Sequence, residues 1–110
     1  MPPKLSTHVL DTASGKPGSG IRVQLFRDST LLTDSTTNAS GRCDAPLLEG
    51  DAMLPGPYQL LFHIGEYFRA QNIPCPFLDI VPVHFQIEVG QSYHIPLVCS
   101  PWAYSTYRGS

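Results

Sequence analysis

The sequence predicts an all-β chain, an antiparallel sandwich or barrel of seven to eight strands with one short helix. Three observations carry this expectation. Eleven prolines and nine glycines cut the 110 residues into short pieces. Most of those pieces alternate apolar and polar residues with a period of two, the spacing that puts one face of a strand in a core and the other in water. The i, i+3, i+4 spacing of an amphipathic helix is almost absent. A chain of this length is expected to form a single domain, residues 1–110, and to bury roughly 65% of its extended surface without covalent staples.

Leu5-Ser6-Thr7-His8-Val9-Leu10 reads as a first strand, with Leu5, Thr7 and Val9 on one face and His8 on the other. Asp11 to Gly20, rich in Gly and Ser and holding Lys16 and Pro17, reads as a connecting loop. Ile21–Phe26 and Leu31–Thr37 flank the polar Arg27-Asp28-Ser29-Thr30 turn and are expected to form a hairpin. Asn38-Ala39-Ser40-Gly41-Arg42 is a turn cluster in which Gly41 can take positive φ. The stretch from Cys43 to Pro57 has no clear period and is read as loop with a short edge strand at most.

Tyr58–Ile64 is a strand with Tyr58, Leu60, Phe62 and Ile64 inward, followed by the one helical segment, Gly65–Gln71, which must stop before Pro74. Val81–Val89 alternates most cleanly, with every odd position apolar, and the Gly90-Gln91 turn leads to Tyr93–Cys99. This pair is expected to be a hairpin. Pro96 cannot donate to a ladder, which argues for an edge position or a local irregularity there. Ser100-Pro101 then breaks the chain before a last strand, Trp102–Arg108.

Composition excludes several classes of function. Charged residues make up 15% and the net charge is −2, so neither nucleic acid nor an anionic membrane is indicated as a partner. Cys43, Cys75 and Cys99 are odd in number and widely spaced, which suggests thiols in a reducing compartment. The four histidines, His8, His63, His84 and His94, lack zinc-site spacing, so no metal or other cofactor is indicated. Met1–His8 has no basic segment followed by an apolar run, and no run reaches the roughly 20 apolar residues of a spanning helix. The expected location is the cytoplasm.

The polar residues that stand out are those the alternation turns away from the core. His8 and His94 both face outward, towards solvent or another subunit, and His84 lies on a wholly polar face with Gln86 and Glu88. His63 shares a face with Leu61 and is expected to be partly buried and satisfied. Arg42, following a glycine turn, can offer paired donors to a flat, oxygen-rich ligand. The terminal Tyr107-Arg108-Gly109-Ser110 brings together an aromatic ring, a guanidinium, a hydroxyl and a carboxylate. No Gly-x-Ser-x-Gly elbow, phosphate-cradling loop or His-Glu-x-x-His helix occurs.

Four of these segments together resemble the transthyretin-related 5-hydroxyisourate hydrolases of the transthyretin family. Leu5-Ser6-Thr7-His8-Val9-Leu10-Asp11 is similar to the family's amino-terminal motif, Thr37–Arg42 to its arginine turn, and Tyr93-His94-Ile95-Pro96-Leu97 to its second histidine strand. The terminal Tyr107-Arg108-Gly109-Ser110 resembles the signature that separates the hydrolases from the hormone carriers. The resemblance implies a two-sheet antiparallel sandwich of eight strands with one short helix. It also implies a homotetramer built as a dimer of dimers, with 5-hydroxyisourate as a small-molecule substrate.

It further implies a site made of His8, Arg42, His94 and Ser110 as catalytic residues, with His8, Arg42, Tyr107 and Arg108 binding substrate. In that site His8 or His94 is the general base, since imidazole titrates at about 6.5. Arg42 would stabilise the oxyanion, Tyr107 would meet the ring, and Ser110 would orient a histidine. The alternative from another class is a transthyretin-like carrier of a small aromatic ligand.

Overall fold

Alternation in the first strand, β1 (Lys4–Asp11), puts Leu5, Thr7 and Val9 on its inner face, and in the computed structural model, which describes residues 2–109, all three are buried. Among the described residues eight further strands follow: β2 (Lys16–Pro17), β3 (Arg22–Arg27), β4 (Thr30–Thr36), β5 (Leu48–Glu49), β6 (Gly56–His63), β7 (Ile80–Ile87), β8 (Tyr93–Cys99) and β9 (Tyr104–Thr106). The one α-helix among the described residues, α1 (Ile64–Ala70), follows β6 directly. One sheet has the order β2-β1-β8-β9, with β5 also pairing β1; the other has the order β4-β3-β6-β7. All pairs are antiparallel except β1 and β8, which run parallel.

Leu5, Val9 and Leu97 from the first sheet meet Val23, Leu25, Leu60, Phe62 and Val81 from the second in one hydrophobic cluster, closed by Ile64 and Phe68 of the helix. At about 25 cal/mol for each Å² of apolar surface removed from water, side chains of this size supply the main driving force for joining the two sheets. No helix among the described residues is long and apolar enough to cross a membrane.

β3 and β4 form the expected hairpin. Its turn is made by Asp28, in the left-handed region at φ 54°, and a bulge lies beside Leu25 and Phe26. α1 begins one residue earlier than expected, at Ile64, and ends where Asn72 takes φ 58°. Cys43 to Pro57 contains β5, a short strand pairing the start of β1, and one turn of 3₁₀ helix, Gly50–Ala52. β2 is an addition to the expected strands: Lys16 and Pro17 turn back along the end of β1 within the predicted loop.

The structure corrects the expected pairing of two strands. β7 and β8 do not form a hairpin: β7 pairs with β6, whereas β8 pairs with β1 and β9. The turn containing Gly90, at φ 78°, carries the chain from one sheet to the other, and the Glu88 N–H donates to the Tyr93 hydroxyl (2.8 Å) across this corner. Alternation reports which side chains are buried, and both strands bury theirs; it is silent on which neighbour takes the backbone hydrogen bonds.

Of the two alternatives at Pro96, an edge position or a local irregularity, the structure shows the irregularity, since β8 lies between β1 and β9. The pairs Leu97–Thr106 and His94–Gly109 share one register, and the ladder lapses between them, where Pro96 faces Tyr107. Pro96 has no N–H to give, and its carbonyl accepts from the Thr106 hydroxyl (2.7 Å). The last strand is therefore only Tyr104–Thr106; Trp102 lies in the preceding bend, stacked on Phe77.

Candidate active site

The outward face of β1 carries Ser6 and His8, and each is brought beside residues remote in sequence. On one side lies the arginine turn. Asn38 organises it as an Asx turn: its side-chain oxygen accepts from the Ser40 N–H (2.9 Å) and the Ser40 hydroxyl (2.7 Å), and its amide donates to Asp44 (2.8 Å). Gly41 sits at φ 81°, and its carbonyl accepts the Val9 N–H (2.9 Å), docking the turn on β1 so that Arg42 pairs with His8. A Cβ at Gly41 would fall 2.5 Å from the Val9 carbonyl oxygen, so both the turn and the close approach require glycine.

On the other side of β1 the parallel register sets Ser6 opposite His94 and His8 opposite Pro96. Ser6 Oγ lies 2.9 Å from His94 Nδ1. The chain terminus then closes the row: the Gly109 N–H donates to the His94 carbonyl (2.6 Å), and the two residues form an isolated antiparallel bridge. Across one face, in order, stand Arg42, His8, His94 and Gly109, from four separate segments.

The electrostatics of the row favour a neutral imidazole at His94. Burial pushes its pKa below the ordinary value, and the Arg42 charge and the neighbouring His8 lower it further. The thiols are the opposite case: burial raises Cys75, and burial with the Asp11 charge pushes Cys99 up to about 12, so both stay protonated. Cys43, half-buried, adjoins Arg42 in a groove that Ser6 and Asp44 also border.

The other expected site residues are placed as follows. Tyr107 is 61% exposed, in the irregular stretch opposite Pro96. Arg108 is engaged with the turn before β8: its guanidinium lies 4.2 Å from the Tyr93 ring centroid and donates to the Gln91 side chain and the Ser92 carbonyl, both at 3.0 Å. Ser110 lies outside the described residues. His63 is buried and paired with Gln24 (2.6 Å), and His84 is exposed beside Gln59 on the second sheet; neither belongs to the row. Among the described residues no group of three or more His, Cys, Asp or Glu side chains is placed to hold a metal ion.

The sequence reading gave two residues no role. Ser6 could be assigned to an outward face, but its pairing with His94 depends on the β1–β8 register. Asp11, at the end of β1, is fully buried and accepts from the Ala13 and Ser14 N–H groups and from the Ser14 and Tyr67 hydroxyls. It fastens the end of the histidine strand to the helix.

The same arrangement of strands occurs in known proteins. A 5-hydroxyisourate hydrolase of Deinococcus radiodurans is 50% identical, with 98% of this chain and 97% of that protein covered. The solved structure of Klebsiella pneumoniae 5-hydroxyisourate hydrolase superposes with a TM-score of 0.88 at 33% identity, covering 98% of this chain and 99% of that one. That of an (S)-allantoin synthase gives 0.94 at 38% identity, covering 99% of this chain but 44% of that one. The model of the HIUase/Transthyretin family matches residues 5–109, nearly the whole of the sandwich and every described residue of the row, and the chain belongs to that family.

Proposed function

We propose that this chain, acting over residues 1–110 as one hydrolase domain, hydrolyses 5-hydroxyisourate, opening its six-membered ring to 2-oxo-4-hydroxy-4-carboxy-5-ureidoimidazoline. The observation that carries this reading is the row of Arg42, His8 and His94 on one outward face, with the terminal segment beside it, in a chain whose relatives bear that activity in their names. Hydrolysis of a cyclic amide needs a base for water, a cation for the developing oxyanion and a surface for the ring.

His94 takes the first role. Its lowered pKa keeps the imidazole unprotonated at neutral pH, ready to accept a proton as water adds to the ring carbonyl. Arg42 and His8 hold the ring oxygens and stabilise the tetrahedral oxyanion. As the intermediate collapses the ring C–N bond breaks, and the proton held by His94 passes to the leaving nitrogen. Tyr107 covers the ring. Ser110 is assigned the role of orienting a histidine. Arg108, engaged with Tyr93, contributes to substrate binding by fixing the course of the terminal residues.

The working form in this reading is a homotetramer, a dimer of dimers. β7 and β9 end their sheets and offer edges for two-fold pairing, and the outward row gains its opposite wall from a second dimer. The substrate is a small molecule in the cytoplasm, and neither nucleic acid nor membrane is a partner, in keeping with a net charge of −2. The test is the ultraviolet absorbance of freshly generated hydroxyisourate, which the purified protein should make decay faster. Decay no faster than in buffer refutes the proposal.

A further inference from the structure

The His94 ring is held at more than one point. Its Nδ1 lies 2.9 Å from Ser6 Oγ, directly across the parallel register. Gly109 packs against its other edge so closely that a Cβ there would stand 2.7 Å from Cδ2 and 3.3 Å from Cγ. The backbone of His94 is bound by the Gly109 N–H. A ring confined in this way has one nitrogen left for chemistry, Nε2.

We propose that Ser6 is a positioning residue that accepts the Nδ1–H of His94, fixing the tautomer in which Nε2 carries the lone pair presented to water and substrate. The inference rests on the hydrolase reading above for the need of a base, but the contact stands on its own geometry. Neutral imidazole has one N–H and one lone pair, so whichever nitrogen donates to Ser6 determines what the other can do. The neighbouring hydroxyl cannot replace Ser6, because the Thr7 side chain points to the opposite face and donates to the Ile95 carbonyl (2.7 Å). The choice of a hydroxyl also suits the electrostatics. A carboxylate at this position would orient the ring equally well but raise its pKa, undoing the depression that burial, Arg42 and His8 produce.

The test uses the full chain with Ser6→Ala and Ser6→Thr. Nitrogen–proton correlation spectra of the His94 side chain should show an Nδ1-protonated ring in the native protein and in Ser6→Thr, and a mixture of tautomers in Ser6→Ala. Hydrolysis by Ser6→Ala should lose roughly tenfold in kcat, the loss of one hydrogen bond of about 1.4 kcal/mol, with KM within about twofold. Ser6→Thr should recover most of that loss. A native ring protonated at Nε2, or a Ser6→Ala protein with unchanged tautomer and kcat, overturns the proposal. Should the native protein not hydrolyse hydroxyisourate at all, the hydrolase reading falls, and the tautomer spectra alone decide the role of Ser6.

Discussion

Replacing Gly109 by alanine tests the site with almost no disturbance elsewhere. The backbone of Gly109 is not in the left-handed region, so alanine introduces no conformational strain. The added methyl, however, would stand 2.7 Å from His94 Cδ2, about 0.8 Å inside the roughly 3.5 Å at which carbon atoms rest. Either the imidazole swings off Ser6 or the terminal segment retreats and lengthens the Gly109–His94 hydrogen bond. The stability at stake is one hydrogen bond near a chain end, about 1 kcal/mol, or about 4 °C in Tm for a domain of this size. Catalysis should suffer more, since a displacement of about 1 Å can cost on the order of 100-fold. The expected result is a melting curve by circular dichroism within a few degrees of the native one and a roughly 100-fold fall in kcat/KM. A Gly109→Ala protein with native kcat/KM would refute the close packing of the terminus on His94 as a catalytic requirement.

Arg42→Gln removes a positive charge that disfavours the imidazolium, so the His94 pKa should rise towards its ordinary value in an NMR titration while hydrolysis falls by about 100-fold; an unmoved or lowered pKa contradicts the electrostatic coupling. Deleting residues 108–110 should abolish most hydrolysis and leave the strand content and the assembly intact, judged by circular dichroism and sedimentation. An active truncation removes the terminal motif from the site. Tyr67→Phe takes one donor from the fully buried Asp11 and should lower stability by about 1–3 kcal/mol in urea denaturation, with kcat unchanged; an unshifted midpoint would mean that water replaces the lost hydroxyl.

Much of this protein was legible in its sequence because burial writes itself into alternation. The inner residues Leu5 and Val9 of β1, Tyr58, Leu60 and Phe62 of β6, and Val81 and Val83 of β7 follow from period two alone, and each is buried. The outward placement of His8 and His94 follows from the same rule. Their grouping with Arg42 and the terminal residues came from a family resemblance, since no single spacing among positions 8, 42, 94 and 107–110 implies proximity.

What period two does not encode is the partner of a strand. Val81–Val89 and Tyr93–Cys99 look like a hairpin because they are adjacent and bury matching faces, yet their backbones pair in different sheets. β2 and β5 are two residues each, too short to show a period. The contact between Ser6 and His94, and the burial of Asp11 beneath Tyr67, likewise exist only once β1 lies parallel to β8 and the helix has docked. The sequence by itself determined which residues face inward and which polar groups are left outside. Only the tertiary structure decided which of those outside groups touch, because backbone pairing between distant strands sets their register, and a slip of one residue would turn Ser6 and His8 to the core.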